Sequence, residues 1–250
     1  MRLNLTRDHM TEALSLAKRE ALPLVVLGVC AAALSTFLHV TQETIFEGEG
    51  TRYDLGILNA LRVPGQPHAA IGPRWLLEAV RDLSALGSLS VLILIALFTA
   101  GFAVVRRRYA AALSIVIALG GGMAFCQLLK STFERARPPE IYREIEVVNT
   151  SFPSGHAMLS AVTYLTLAAL LAHTLPQKRQ QSYVLAVAVI LTAIVGMSRI
   201  YLGVHWTTDV LAGWSVGAAW ACFCWLAAFV WERLTDHRLS APGSAKRAAA

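Results

Sequence analysis

The sequence predicts an all-α, polytopic membrane protein: six transmembrane helices in one bundle, with short amphipathic helices in the first outer loop. Three observations predict this. The 250-residue chain is 56% hydrophobic and only 15% charged, against roughly 25% charged in typical globular proteins. Its apolar residues gather into six segments, at about 22–40, 84–105, 109–129, 157–174, 182–200 and 210–230. Each approaches or meets the about 20 residues that a helix needs to cross the hydrocarbon core. Finally, the basic residues cluster on alternate connections, as a membrane topology demands.

In chain order, residues 1–21 read as an N-terminal interfacial amphipathic helix, with Leu3, Leu5, Met10, Leu14 and Leu16 available to lipid. The apolar run after them is long enough to stay as an anchor. Residues 22–231 form the six-span domain. Its first outer loop, 41–83, holds two amphipathic patches, "YDLGILNALR" and "PRWLLEAVRDLSAL", separated by a Pro/Gly-rich break. Residues 130–153 make the second outer loop and 201–206 a short third one. Residues 232–250 are expected to be a cytoplasmic, disordered tail ending in the low-complexity "APGSAKRAAA". Within the spans, Gly213 and Gly217 form a small-xxx-small pattern that lets helices approach closely, inside the bundle or between copies; packing inside the bundle is the expected use. Cys30, Cys126, Cys222 and Cys224 fall inside spans and read as small packing residues.

A net charge of +6 would suit nucleic acid, but the placement of the cations argues for a membrane and against nucleic acid. Arg2, Arg7, Lys18 and Arg19 precede the first span. Arg106, Arg107 and Arg108 fill the turn after the second, Lys178 and Arg179 follow the fourth, and Arg233, Arg238, Lys246 and Arg247 follow the last. With six spans all four clusters fall on one side, the cytoplasmic one by the positive-inside tendency. The expected location is therefore the plasma (inner) membrane, with both termini cytoplasmic. Lys130, Arg135, Arg137, Arg143 and Arg199 break the trend, because they fall on the outer side.

Those exceptions share their surface with other ionisable groups. Lys130 ends span three and Arg137 follows in "KSTFERARPP"; His156 opens span four in "NTSFPSGHAM"; Arg199 ends span five, and His205 and Asp209 open span six in "SRIYLGVHWTTDV". Ionisable groups near the bilayer interior usually face a cavity. Three cations without a carboxylate cluster point to an anion, and the planar fork of arginine suits phosphate. Ser154 is a good helix N-cap, Gly155 lets backbone approach a ligand, and a helix N-terminus offers free N–H groups to an anion. His205 and Asp209 are four apart and would share a helix face, so the carboxylate can hold the imidazole in one tautomer. Phosphoryl transfer is largely positioning and electrostatic stabilisation. In that chemistry His205 would attack phosphorus, and His156 would protonate the departing alkoxide and then deprotonate a water.

These residues resemble the three-part signature of the type 2 phosphatidic acid phosphatase superfamily. Its parts are Lys130 with six residues to Arg137-Pro138, then Pro153-Ser154-Gly155-His156, then Ser198-Arg199 with five residues to His205 and three more to Asp209. The resemblance implies a six-helix membrane phosphatase that needs no metal or other cofactor. Its catalytic residues would be His205, His156 and Asp209, and its phosphate-binding residues Lys130, Arg137, Ser154, Gly155 and Arg199. Trp206, Thr207 and Thr208 lie where that chemistry imposes no constraint, and residues 1–80 carry no motif of the family. The implied partners are membrane lipids and a lipid phosphate substrate, a monoester or a polyprenyl diphosphate, met at the outer membrane surface. A vanadate-dependent haloperoxidase would use a similar pocket, but those relatives are soluble. A non-catalytic lipid-headgroup binding or transport protein would use the cations but would not need the His205–Asp209 pair.

Overall fold

The computed structural model describes residues 2–48, 50–147 and 149–240, with the side chains of 2–20, 50, 51 and 236–240 outside the description. Eight α-helices follow in order: α1 (Arg2–Thr41), α2 (Gly50–Ala60), α3 (Arg74–Ala85), α4 (Leu89–Val105), α5 (Tyr109–Thr132), α6 (Gly155–Thr174), α7 (Lys178–Tyr201) and α8 (Thr207–Ser240). Five of these are long and apolar enough to cross a membrane, and α3 with α4, bent by 47° at the break between them, pass together as a sixth. Large apolar side chains such as Leu24, Phe98, Val105 and Ile190 stay exposed on the bundle's flanks, which is the arrangement a lipid solvent favours.

Several details differ from the expectation. The helix that begins at Arg2 runs on to Thr41 without the break expected near residue 21, and a π-helical turn (Gln42–Phe46) continues it. The leucines expected to meet lipid within 1–21 lie outside the described side chains. The last helix continues to Ser240, past residue 231 where the tail was expected to begin; residues 241–250 lie outside the description. The Pro/Gly-rich break is a two-stranded hairpin, β1 (Arg62–Val63) with β2 (Gln66–Ala70). Pro64 and Gly65 make its turn, because Pro presets the first turn angle while Gly65 takes a φ of 77°.

α6 is the central helix, packed on α5, α7 and α8, while α1 lies along α8. Apolar burial does not drive helix association inside lipid, so close backbone approach and interhelical hydrogen bonds must supply the contact. Both glycines of the small-xxx-small pattern serve inside the bundle. A Cβ at Gly213 would lie 2.7 Å from the Ser154 carbonyl oxygen, and one at Gly217 would lie 2.5 Å from that of Met158. Only residues without a Cβ let α8 run this close to α6. Trp220 Nε1 donates to Ala118 O and Trp214 Nε1 to Thr192 O, each at 2.9 Å, tying α8 to α5 and α7. Gly121 and Gly196 leave the space those indoles occupy. Cys30 packs between α1 and α8, with Sγ 3.5 Å from Ala219 O.

The first loop, 41–88, is braced onto the other two loops at the same end of the bundle. Buried Arg62 donates to Tyr201 O (3.1 Å) and Tyr142 O (2.5 Å), and Tyr201 Oη donates to Ile71 O (2.6 Å). Arg81 Nη2 donates to Glu144 O at 2.9 Å. Gly203, at φ 68°, is the tight point of the third loop, where a Cβ would lie 2.0 Å from Tyr142 O.

Candidate active site

The site is assembled where α5 ends and where α6 and α8 begin. After Phe133, "ERARPP" crosses the mouth of the bundle. Arg137 turns inward: its Nη1 donates to Val204 O at 2.6 Å and stands 3.2 Å from His205 Nε2. Its Nη2 and Lys130 Nζ both donate to Thr150 O, at 3.3 and 2.7 Å, so two cations share one carbonyl. Burial lowers the Arg137 pKa from its ordinary value, and nearby Asp209 opposes that shift. The guanidinium nevertheless stays charged, because its ordinary pKa is far above neutrality.

His205 is 2% exposed and Asp209 fully buried. The sequence reading put both on one helical face, but α8 starts at Thr207, so His205 stands in the loop before it. The pair forms regardless, because Asp209 folds back over the first turn. Its Oδ2 accepts the Trp206 N–H at 3.0 Å and lies 3.3 Å from His205 Nδ1. This is half of a capping box, with the acidic residue at the third helical position reaching back to the cap N–H.

The tautomer of His205 follows from its neighbours. Arginine has donors only, so Nε2 facing Arg137 must carry the lone pair. The proton then sits on Nδ1, directed at Asp209. Burial lowers the His205 pKa to about 4; Asp209 pulls it upward, and Arg137 and Arg199 push it further down. At neutral pH the ring is therefore uncharged, with its nucleophilic nitrogen on the cationic side.

α6 begins at the same point. The Ser154 N–H donates to Asp209 O at 3.0 Å, and the first intrahelical bond runs from Met158 N to Ser154 O at 2.9 Å. The amides of Gly155, His156 and Ala157 therefore have no partner within the helix, the usual condition of a first turn. Ser154 occupies the cap position, but its side chain makes no cap hydrogen bond, and its buried Oγ has no partner among the described residues. The serine thus keeps a free hydroxyl beside free amides, where a capping serine would have spent it. A Cβ on Gly155 would come within 3.6 Å of Lys130 Cε, which places that ammonium beside the first turn.

His156 and Arg199 face the α3–α4 break, a wall the sequence did not reveal because residues 84–105 read as one span. Arg199, 4% exposed, donates through Nη1 to Ser84 Oγ at 2.8 Å. A Cβ on Gly87 would strike Val195 at 2.2 Å and approach His156 at 3.3 Å. Arg199 makes no direct bond to the other predicted site residues, yet its charge bears on both His156 and His205. All eight predicted residues thus converge on one end of the bundle.

Two contributors had not been assigned roles. Ser151 Oγ donates to Asp209 Oδ2, and Arg135 Nη1 donates to Asp209 Oδ1 at 2.6 Å. Arg135 had stood out only as a cation on the wrong side of the membrane. Arg143, its companion in that anomaly, donates instead to Pro138 O at 2.7 Å and holds the Pro-Pro turn.

A six-span bundle with a buried His–Asp pair, three inward cations and an open helix N-terminus defines a membrane-embedded enzyme of phosphoryl transfer. Comparison with known proteins narrows this. The PAP2 superfamily model matches residues 111–233. Phosphatidylglycerophosphatase B of Bacillus subtilis (strain 168) is 35% identical over 145 residues, 57% of this chain and 70% of that protein. Undecaprenyl-diphosphatase of Sulfolobus acidocaldarius is 28% identical over 130 residues, 50% of this chain and 58% of that protein. The crystal structure of a transmembrane PAP2-type phosphatidylglycerolphosphate phosphatase from Bacillus subtilis superposes with a TM-score of 0.71 at 28% identity, covering 81% of this chain and 96% of that one. Aquifex aeolicus LpxE, at 21% identity and a TM-score of 0.50 over 72% of this chain and 93% of that one, shares the fold. The chain belongs to the PAP2 superfamily and is an integral membrane lipid phosphatase.

Proposed function

We propose that this protein hydrolyses a lipid phosphate monoester or a polyprenyl diphosphate in two in-line steps through a phosphohistidine at His205, without a metal ion. Phosphatidylglycerol phosphate is the first candidate substrate, by similarity to the relative at 35% identity, and a polyprenyl diphosphate the second. The observation that carries the reading is the pair of contacts to His205. Arg137 lies on its Nε2 side at 3.2 Å, and Asp209 lies on its Nδ1 side at 3.3 Å. A neutral, oriented nucleophile faces the cation that an incoming phosphate oxygen would meet.

In the first step the Nε2 lone pair forms a bond to phosphorus while the bond from phosphorus to the lipid oxygen breaks. The negative charge of the bound phosphate lets His156 take up a proton among the cations, and His156 gives that proton to the leaving alkoxide. In the second, a water oxygen bonds to phosphorus, its proton passes to His156, and the nitrogen–phosphorus bond breaks to release inorganic phosphate. Lys130, Arg137, Arg199, the Ser154 hydroxyl and the amides of Gly155 and His156 hold the phosphoryl oxygens. Preorganised donors of this kind act on the charge that develops in the transition state, and each is worth about 10²–10³-fold in rate. Asp209 orients His205 and stabilises the cation it becomes.

The site belongs on the periplasmic or extracellular side, with both termini cytoplasmic. Arg106, Arg107 and Arg108 join α4 to α5, and Lys178 and Arg179 open α7, so both clusters lie at the bundle end away from the site. The positive-inside tendency assigns that end to the cytoplasm. The apolar part of the substrate stays in the bilayer while its headgroup enters among the cations. The test is phosphate release from a panel of lipid phosphates in detergent containing a chelator, for wild type and His205→Ala. Release by wild type alone is expected, and release by both would remove His205 as nucleophile. A cysteine placed at residue 146 should react with membrane-impermeant reagents in intact cells; labelling only after lysis would invert the topology.

A further inference from the structure

Asp54 lies in α2, within the first loop, about 150 residues from the motif that closes at Asp209. It is 1% exposed, and a carboxylate that deep must be paired and hydrogen-bonded. Its partners all belong to the site. Oδ2 accepts from Arg135 Nη2 at 2.8 Å and from Thr208 Oγ1 at 2.6 Å, and Oδ1 accepts from the Thr208 N–H at 3.0 Å. Thr208 Oγ1 accepts in turn from Arg135 Nη1 at 2.8 Å, and the Arg135 guanidinium lies 5.6 Å from the centre of the Trp206 ring. Trp206 and Thr208, expected to be unconstrained, are therefore built into the support of the site.

We infer that Asp54 is a positioning residue for phosphoryl transfer, acting through Arg135 and Thr208 on the Asp209–His205 pair. The inference rests on His205 as nucleophile. Two physical effects carry it. The Thr208 N–H belongs to the first turn of α8 and has no intrahelical partner, so Asp54 caps α8 from another element and fixes the turn that carries Asp209. The second effect is charge. Arg135 is shared between two carboxylates, so the buried cluster carries one net negative charge. Were Arg135 to face Asp209 alone, the two would neutralise each other, and His205 would become cationic on phosphorylation without a counter-charge. The second carboxylate keeps Asp209 effectively anionic toward His205, in surroundings where little water screens the interaction.

The experiment uses the full chain in detergent with dioctanoyl phosphatidic acid as probe, and reads kcat, KM and competitive inhibition by inorganic phosphate. Asp54→Asn keeps the shape and removes the charge. It is expected to lower kcat about tenfold while leaving KM and the phosphate inhibition constant within twofold, because the phosphate-holding cations are not its partners. The double variant Asp54→Asn with Arg135→Gln restores the net charge of the cluster. It is expected to be no worse than the poorer single variant, whereas independent lesions would multiply. Thr208→Val keeps every charge and breaks the hydroxyl link, and about a threefold fall in kcat is expected from losing that hydrogen bond; it serves where Asp54→Asn does not fold. A kcat within twofold of wild type in Asp54→Asn or, where that variant does not fold, in Thr208→Val would overturn the inference, as would multiplying losses in the double variant. His205→Ala is measured alongside: activity surviving there defeats the nucleophile assignment itself, while an inactive His205→Ala beside a fully active Asp54→Asn defeats only the role of Asp54.

Discussion

The segment from Lys130 to Asp209 and the segment from Thr41 to Ser88 meet the same site in opposite ways. The first supplies the groups that would touch a phosphate, and its polar side chains bind one another: Arg137 to His205, His205 to Asp209, Arg135 to Asp209. The second reaches the site at a few points and always through an intermediary. Asp54 holds Arg135, Ser84 holds Arg199, and Gly87 leaves room beside His156. On the proposed mechanism one segment carries the chemistry, and the other fixes the angles at which it is carried out. Lesions in the first should therefore remove activity, and lesions in the second should reduce it.

The largest effect is expected from His205→Ala, which should cut phosphate release by about 10⁴-fold or more, as loss of a nucleophile does in other covalent enzymes. Arg199→Ala comes next, with kcat/KM for a lipid phosphate down about 10²–10³-fold, the scale of losing one preorganised donor. Asp54→Asn follows at the smaller loss given above. Ser84→Ala is milder still: removing the acceptor from the Arg199 guanidinium should lower kcat/KM about fivefold, the scale of one hydrogen bond. If Ser84→Ala proved as damaging as Arg199→Ala, the division between the two segments would fail. The smallest effect on catalysis is expected from Gly217→Ala, on α8 beyond Asp209, where the glycine meets Met158 and Ala161 rather than any proposed site residue. Its Cβ would meet Met158 O at 2.5 Å and Ala161 Cβ at 2.9 Å. Thermal unfolding should shift down by several degrees while KM stays unchanged.

The same contrast explains what could be read from the sequence. Six apolar segments gave the bundle directly, since crossing lipid imposes length and composition on each helix. The spacing from Lys130 to Asp209 pointed to the proposed site, since charges at helix ends near lipid are costly enough to stand out. Asp54 was hidden because a carboxylate in an amphipathic loop helix looks solvated until its tertiary partners are known. Arg135 was visible as an anomaly of charge placement, and only the fold supplied its partners, Asp54 and Asp209. The α3–α4 break was hidden because residues 84–105 carry no charge and were read as one span, while the close fit of Gly87 against Val195 beside the break is a tertiary contact. For Ser154 the cap position was legible, but the use of its side chain was not, because the hydroxyl stays unpartnered in the folded chain.

The central claim is that phosphorus is transferred twice, first to His205 and then to water. The stereochemical course at phosphorus tests it most directly, with a lipid phosphorothioate made chiral by two oxygen isotopes as substrate and water carrying the third oxygen isotope as acceptor. Two in-line displacements predict net retention of configuration. Inversion would mean that water attacks the substrate directly, and would contradict the account.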